Sequence, residues 1–92
     1  MASQTFSLSG AGLTASSTVT LGAGECVVVR FTKNPQGRVS VVAALNSTTT
    51  RHPVNTDGFA SDAFVAGTVL SVELDGQGSS FAACAGIIET GA

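Results

Sequence analysis

Polar and apolar residues alternate one by one through residues 5–9, Thr-Phe-Ser-Leu-Ser, which places Phe6 and Leu8 on one face of an extended segment. The alternation returns at 16–21, with Val19 and Leu21 inward, and at 68–74, where Leu70, Val72 and Leu74 oppose Val69, Ser71 and Glu73. Residues 26–32 begin apolar on both faces, the mark of a central strand covered on both sides. There Val27, Val29 and Phe31 share one face, and Cys26, Val28 and Arg30 the other. Residues 39–45, Val-Ser-Val-Val-Ala-Ala-Leu, are compatible with a short helix, but the β-branched start and flanking turns favour a strand with Val41 in the core. Residues 80–89 predict a last strand with Ile87 inward, and a turn or two of helix is expected near 61–65. Phe59, Ala63, Phe64 and Val65 are expected to return there to the core.

Turn residues cut these runs at short intervals. Gly10-Ala11-Gly12 and Gly22-Ala23-Gly24 read as turns, because a phosphate-cradling glycine loop would have to feed a helix and none follows. The second is expected to close a tight hairpin. Asn34-Pro35-Gln36-Gly37 has the order of a type I turn, and Asp75-Gly76 is a two-residue hairpin signal. The longest polar stretch, 46–58, accommodates one short edge strand over 48–54, blunted by Pro53, with loop around it. About seven or eight antiparallel strands with turns every 8–12 residues predict an all-β fold, a β-sandwich or small jelly-roll-like barrel. No repeat or linker divides the chain, so residues 1–92 are expected to be a single domain.

Composition sharpens the picture at the surface. The chain is 43% hydrophobic but only 11% charged, so its exterior must be largely Ser, Thr, Gly, Asn and Ala. Such a surface repels little and immobilises few long side chains when buried against another protein. A domain of this size also gains useful stability from self-association. The net charge is −2, with cations spread singly at Arg30, Lys33, Arg38 and Arg51. With no basic patch and neither Trp nor Tyr, nucleic acid is not an expected partner, and a sugar would lack a flat amphipathic ring to stack on. No stretch approaches ~18 consecutive apolar residues, so no membrane partner is expected either. Residues 1–5 carry neither a basic cluster nor an apolar run, and cytosolic synthesis is the expectation.

Candidate chemistry is sparse. Cys26 and Cys84 both fall in predicted strands and read as small, reduced, buried side chains; a disulfide stays open if their strands are neighbours. His52 is the one histidine, so two cysteines and one imidazole fall short of a structural zinc set. Asp57 and Asp62 could orient His52 and many Ser and Thr could serve as nucleophile, yet such a set can be picked from almost any Ser-rich chain. His52 is read as solvated. Glu25, Glu73, Asp75 and Glu89 show no spacing that recommends calcium or glycosidase chemistry. Asn46-Ser47-Thr48 matches a glycosylation acceptor in form only. No catalytic, cofactor or metal site is therefore expected.

The strand layout as a whole resembles the small β-rich virion proteins of tailed bacteriophages. The resemblance lies in the short opening strand at 4–10, the second strand with its Gly-rich exit at 18–25, the apolar strand at 26–31, and the late pair at 68–74 and 80–88. It implies a capsid decoration or cement protein, or a head-fibre or tail-accessory domain. It also implies a homo-oligomer, a trimer in many such proteins, bound to the major capsid protein on the virion surface after synthesis in the host cytoplasm. A structural role of this kind works by area, shape and copy number rather than by a reactive group. An adhesive or lectin-like module and a small hydrolase are the other classes, weakened by the missing Trp and Tyr and by the missing site. The 46–58 loop and the strand around Phe6 are the parts expected to meet partners.

Overall fold

A computed structural model describes residues 2–61 and 63–91. The strands are β1 (Ala2–Ser9), β2 (Leu13–Ala15), β3 (Val19–Thr20), β4 (Cys26–Phe31), β5 (Arg38–Leu45), β6 (Thr48–Val54), β7 (Phe59–Ala60), β8 (Val69–Asp75) and β9 (Ala83–Gly91). No helix forms among the described residues. One antiparallel sheet has the order β1-β9-β4-β7; the other runs β2-β8-β5-β6, with β3 also paired to β8. β2 and β3 are two pieces of one strand, so each layer holds four strand positions. From β3 onward the chain changes sheet at every connection except the β5–β6 hairpin, the double-sheet order of a jelly roll.

The interruption between β2 and β3 has a local cause. Ser16 donates its backbone N–H to the Val72 carbonyl (2.8 Å), while its hydroxyl accepts the Val72 N–H (2.9 Å). A side-chain oxygen thus stands where a ladder carbonyl would, and the strand kinks before resuming at Val19. The β5–β6 hairpin turns on Asn46 and Ser47, both at positive φ (51° and 66°), the twist a two-residue turn needs. This turn lies in the part of 46–58 expected to be loop, and the edge strand expected over 48–54 forms there as β6.

Between the layers, Leu21, Val27, Val29, Val39, Val41, Leu70, Val72 and Leu74 are buried, joined by Phe6, Leu8, Ala43, Cys84 and Ile88. Val19 and Phe31, expected in the core, pack at its margin half-buried, with Phe59 and Phe64. β8 buries Leu70, Val72 and Leu74 as the alternation requires. β9 runs in the other phase from the one expected: Ile88 is 2% exposed, whereas Ile87 lies half-buried on the outer face. Adjacent isoleucines carry no phase information. The inward set Cys84, Gly86, Ile88 and Thr90 includes a glycine and a threonine that hydrophobicity would place outside.

Other expectations need correction. Residues 61 and 63–65 form an irregular link rather than a helical turn, with Ala63 exposed and Val65 66% exposed; residue 62 lies outside the described residues. Neither Gly22-Ala23-Gly24 nor Asp75-Gly76 closes a hairpin, because each carries the chain from one sheet to the other. Asn34-Pro35-Gln36-Gly37 is held by reciprocal backbone bonds between Gln36 and Ala83 (2.7 and 2.8 Å) instead of by a tight turn of its own. β4 lies between β9 and β7, but its outer face, Cys26 and Val28, is covered by no further layer and stays half-buried.

Candidate functional site

The imidazole of His52 is the first group to place. It sits on the inward side of β6 opposite Val41, half-buried, so it is not a solvated loop side chain. Its ring centroid lies 5.6 Å from Phe59 and 6.5 Å from Phe64. Because β7 is only two residues long, the inner side of β6 beyond His52 faces no strand among the described residues. A groove of about 460 Å³ opens there, bounded by Leu45, Thr50, His52, Phe64 and Thr68. Asp57 is exposed in the turn after β6, where its N–H is held by the Asn55 side chain (3.0 Å). Among the described residues no carboxylate is hydrogen-bonded to His52, and no cluster of three His, Cys, Asp or Glu could hold a metal. Asp57, one of the two carboxylates that could have oriented His52, thus does not do so, and Asp62 lies outside the described residues.

The cysteines are apart. Cys84 pairs with Leu8 in β1 and points into the core, whereas Cys26 pairs with Gly91 and faces outward from the same sheet. Positions 84 and 91 are separated by ~23 Å of extended β9, far beyond the ~7 Å that a disulfide spans. Both thiols are free, and burial pushes the Cys84 thiol up. Cys26 should therefore react first with an aromatic disulfide reagent at neutral pH, and Cys84 only as the protein unfolds. Equal rates in the native protein would contradict this placement. Folding also favours the protonated Cys84, so that contribution is complete below the ordinary thiol range and declines as pH rises through it.

The acids and cations mostly serve geometry. Asp75 accepts the Gln77 N–H (2.9 Å), and the Glu25 carboxylate accepts the Gly22 N–H, so each acid fastens a sheet-to-sheet turn. Arg30 pairs with Glu89 (3.0 Å) across β4 and β9, and Arg51 pairs with Glu73 (3.1 Å) over β5. Exposed pairs of this kind contribute up to ~1 kcal/mol, so their main effect is to cancel charge. One outer face then presents Ser3, Thr5, Ser7, Val28, Ala85 and Ile87; the other presents Ser40, Val42, Ala44, Thr49, Val69 and Ser71. Each face is broad, nearly neutral and made of small side chains. Away from these two faces, Phe81, in the connection before β9, is 85% exposed, and Leu13, at the start of β2, is 65% exposed. They stand near two connections that bond to each other, Gly76 to Gly12 (3.0 Å) and Gly78 to Ala11 (2.9 Å).

Sequence reasoning missed the groove beside His52, because Phe64, which lines it, and Phe59, which packs near the imidazole, come to His52 only through the crossing between sheets. Phe81 was legible as an aromatic residue but not as an exposed one, since its place depends on where β9 begins.

No family model matches the chain, and no curated protein matches it. A solved structure does share its fold: the crystal structure of the C-terminal domain of A223, a structural protein from Sulfolobus turreted icosahedral virus. The TM-score is 0.57 at 18% sequence identity, with 92% of this chain and 95% of that one covered. At that identity the likeness is one of fold, and it extends over both chains almost end to end.

Proposed function

We propose that this chain is a structural component of a virus particle, a decoration or cement protein on the capsid surface of a tailed phage. In this reading it acts as a homo-oligomer, a trimer, that grips the major capsid protein through protein–protein contacts and has no catalytic role. The observation that carries the reading is the end-to-end fold likeness to a domain of a viral structural protein. The tailed-phage assignment rests on the strand layout that resembles such virion proteins. The surfaces support it. Two nearly neutral sheet faces of small residues can be buried at little desolvation or entropy cost, and the exposed Phe81 and Leu13 offer apolar anchors at one end. Copies arranged by symmetry then add weak contacts into avidity.

Particles made without the protein should lose integrity at a lower temperature or milder osmotic shock, with infection chemistry unchanged. Unaltered particle stability would defeat the reading. The adhesive or lectin-like alternative has one feature in its favour, the groove lined by His52 and Phe64. Location at a tail tip bound to a host glycan would decide for it.

A further inference from the structure

An exposed ring and an open groove stand at opposite ends of the sandwich. β8 begins at Val69, next to Thr68 in the wall of the groove beside His52, and ends at Asp75, where the connection that carries Phe81 begins. The two ends of β8 are ~20 Å apart, so Phe81 cannot fill the groove of its own copy. Phe81 is 85% exposed, yet its backbone is fixed. Its N–H is held by the Ser79 hydroxyl (3.2 Å). The adjoining Ala82 is buried, with its N–H on the Ser79 carbonyl (3.3 Å) and its own carbonyl accepting the Gly10 N–H (3.1 Å). A large apolar ring is thus presented on ordered main chain, and little backbone freedom is lost when it binds.

The groove suits such a ring. Ala43, Leu45 and Thr50, from the inner side of the β5–β6 hairpin, line it together with Phe64 and Val65, the last 66% exposed at the rim. The Thr68 hydroxyl is already engaged on the Val65 carbonyl (2.6 Å), which leaves the lining mostly apolar. A further ring would join His52 and Phe64, whose centroids lie 6.5 Å apart. Charge matches as well. Arg30 and Arg51 are paired with Glu89 and Glu73, so Lys33 and Arg38 are the cations without a carboxylate among the described residues. Both stand at the Phe81 end: Lys33 shares a cleft with Ala83, and Arg38 shares another with Gln77. Of the acids there, Asp75 is engaged by the Gln77 N–H and Asp57 sits in the β6–β7 turn. Beside the groove stands Glu25, whose carbonyl accepts the Phe64 N–H (2.9 Å) and whose carboxylate meets no cation among the described residues.

Resting on the homo-oligomer reading above, we infer that Phe81 of one copy seats in the groove beside His52 of the next, with Lys33 and Arg38 drawn toward the partner's Glu25. A second copy is the occupant because this chain itself carries both the matching ring and the matching charge. The contact joins two different patches and is therefore heterologous. It closes into a ring when the turn from copy to copy divides the full circle, and runs on as a chain otherwise.

Sedimentation velocity over a concentration series tests the contact with two variants and their mixture. Phe81→Ala removes the ring, and Val65→Lys places a cation on the groove rim. Both positions are exposed, so each variant should keep the parent's urea midpoint. The parent should associate, and each variant alone should associate more weakly by about tenfold or more. Mixed in equal amounts, the two should form a one-to-one complex that grows no further, because Phe81→Ala keeps its groove and Val65→Lys keeps its ring. Undiminished association in either variant would overturn the contact while leaving the homo-oligomer in place. A mixture that stays monomeric would overturn it too. A parent that remains monomeric up to ~1 mM would overturn both the contact and the homo-oligomer.

Discussion

Gly86→Ala should cost more than ~3 kcal/mol, a large share of the roughly 5–15 kcal/mol that holds a typical domain together. Gly86 lies in the middle of β9, opposite Phe6 in β1 and Phe31 in β4, and points into the core. The two rings meet edge to face over it, with centroids 6.3 Å apart and planes at 80°. An added Cβ would fall inside contact distance of the Arg30 carbonyl oxygen and 2.8 Å from Phe6 Cζ. A ring could swing aside, but the Arg30 carbonyl belongs to a paired strand, so relief requires the sheet to part. Ordinary overpacking costs ~1–3 kcal/mol, and loss of the aromatic contact adds ~0.5–1.5 kcal/mol. The matched control is Gly12→Ala, where an added Cβ meets nothing within 4 Å; it should stay within ~0.5 kcal/mol of the parent. Urea unfolding of both variants reads the difference, and a Gly86→Ala midpoint equal to the parent's would refute the packing described.

Leu70→Ala should remove ~2–5 kcal/mol. Leu70 is 1% exposed and sits between Val19 of β3 and Ala43 of β5, in the layer of side chains that joins the sheets. Truncation withdraws apolar surface and leaves a cavity that neighbouring strands, fixed by their ladders, cannot close. For a domain of this size the midpoint of thermal unfolding should fall by about 10 °C or more. Val69→Ala, one position away and half-buried on the outer face, should cost far less. A loss at Leu70 below ~0.5 kcal/mol would mean that β8 presents its other face to the core.

The contrast between β8 and β9 shows what the sequence makes legible. In β8 the apolar and polar positions alternate cleanly, so the inward face follows from the pattern alone. In β9 the inward row depends on Gly86, which is small because Phe6 and Phe31 occupy the space above it, and on Thr90, which is buried despite its hydroxyl. Those reasons live in β1 and β4, beyond the reach of local pattern. The turns behave similarly. Asp75-Gly76 and Gly22-Ala23-Gly24 bend the chain as their residues require, but a glycine's freedom does not say whether the next strand joins the same sheet or the opposite one. Asn46-Ser47 carried the one signal for a hairpin within a sheet, an asparagine able to adopt positive φ, and it was hidden in a polar stretch. His52 shows the same limit at the candidate site. Its neighbours Phe59 and Phe64 come from across the sandwich, and only the fold brings them together.

The central claim is that this chain acts through its surfaces as a repeated part of a virus shell. Electron cryo-microscopy of particles purified from cells that produce the protein tests that claim most directly. The account predicts the two-layer sandwich at many symmetry-related positions on the outer shell, clustered in trimers and seated over joints between capsid subunits. Particles whose shell carries no such density, or in which the sandwich occurs only at a tail tip, would contradict it.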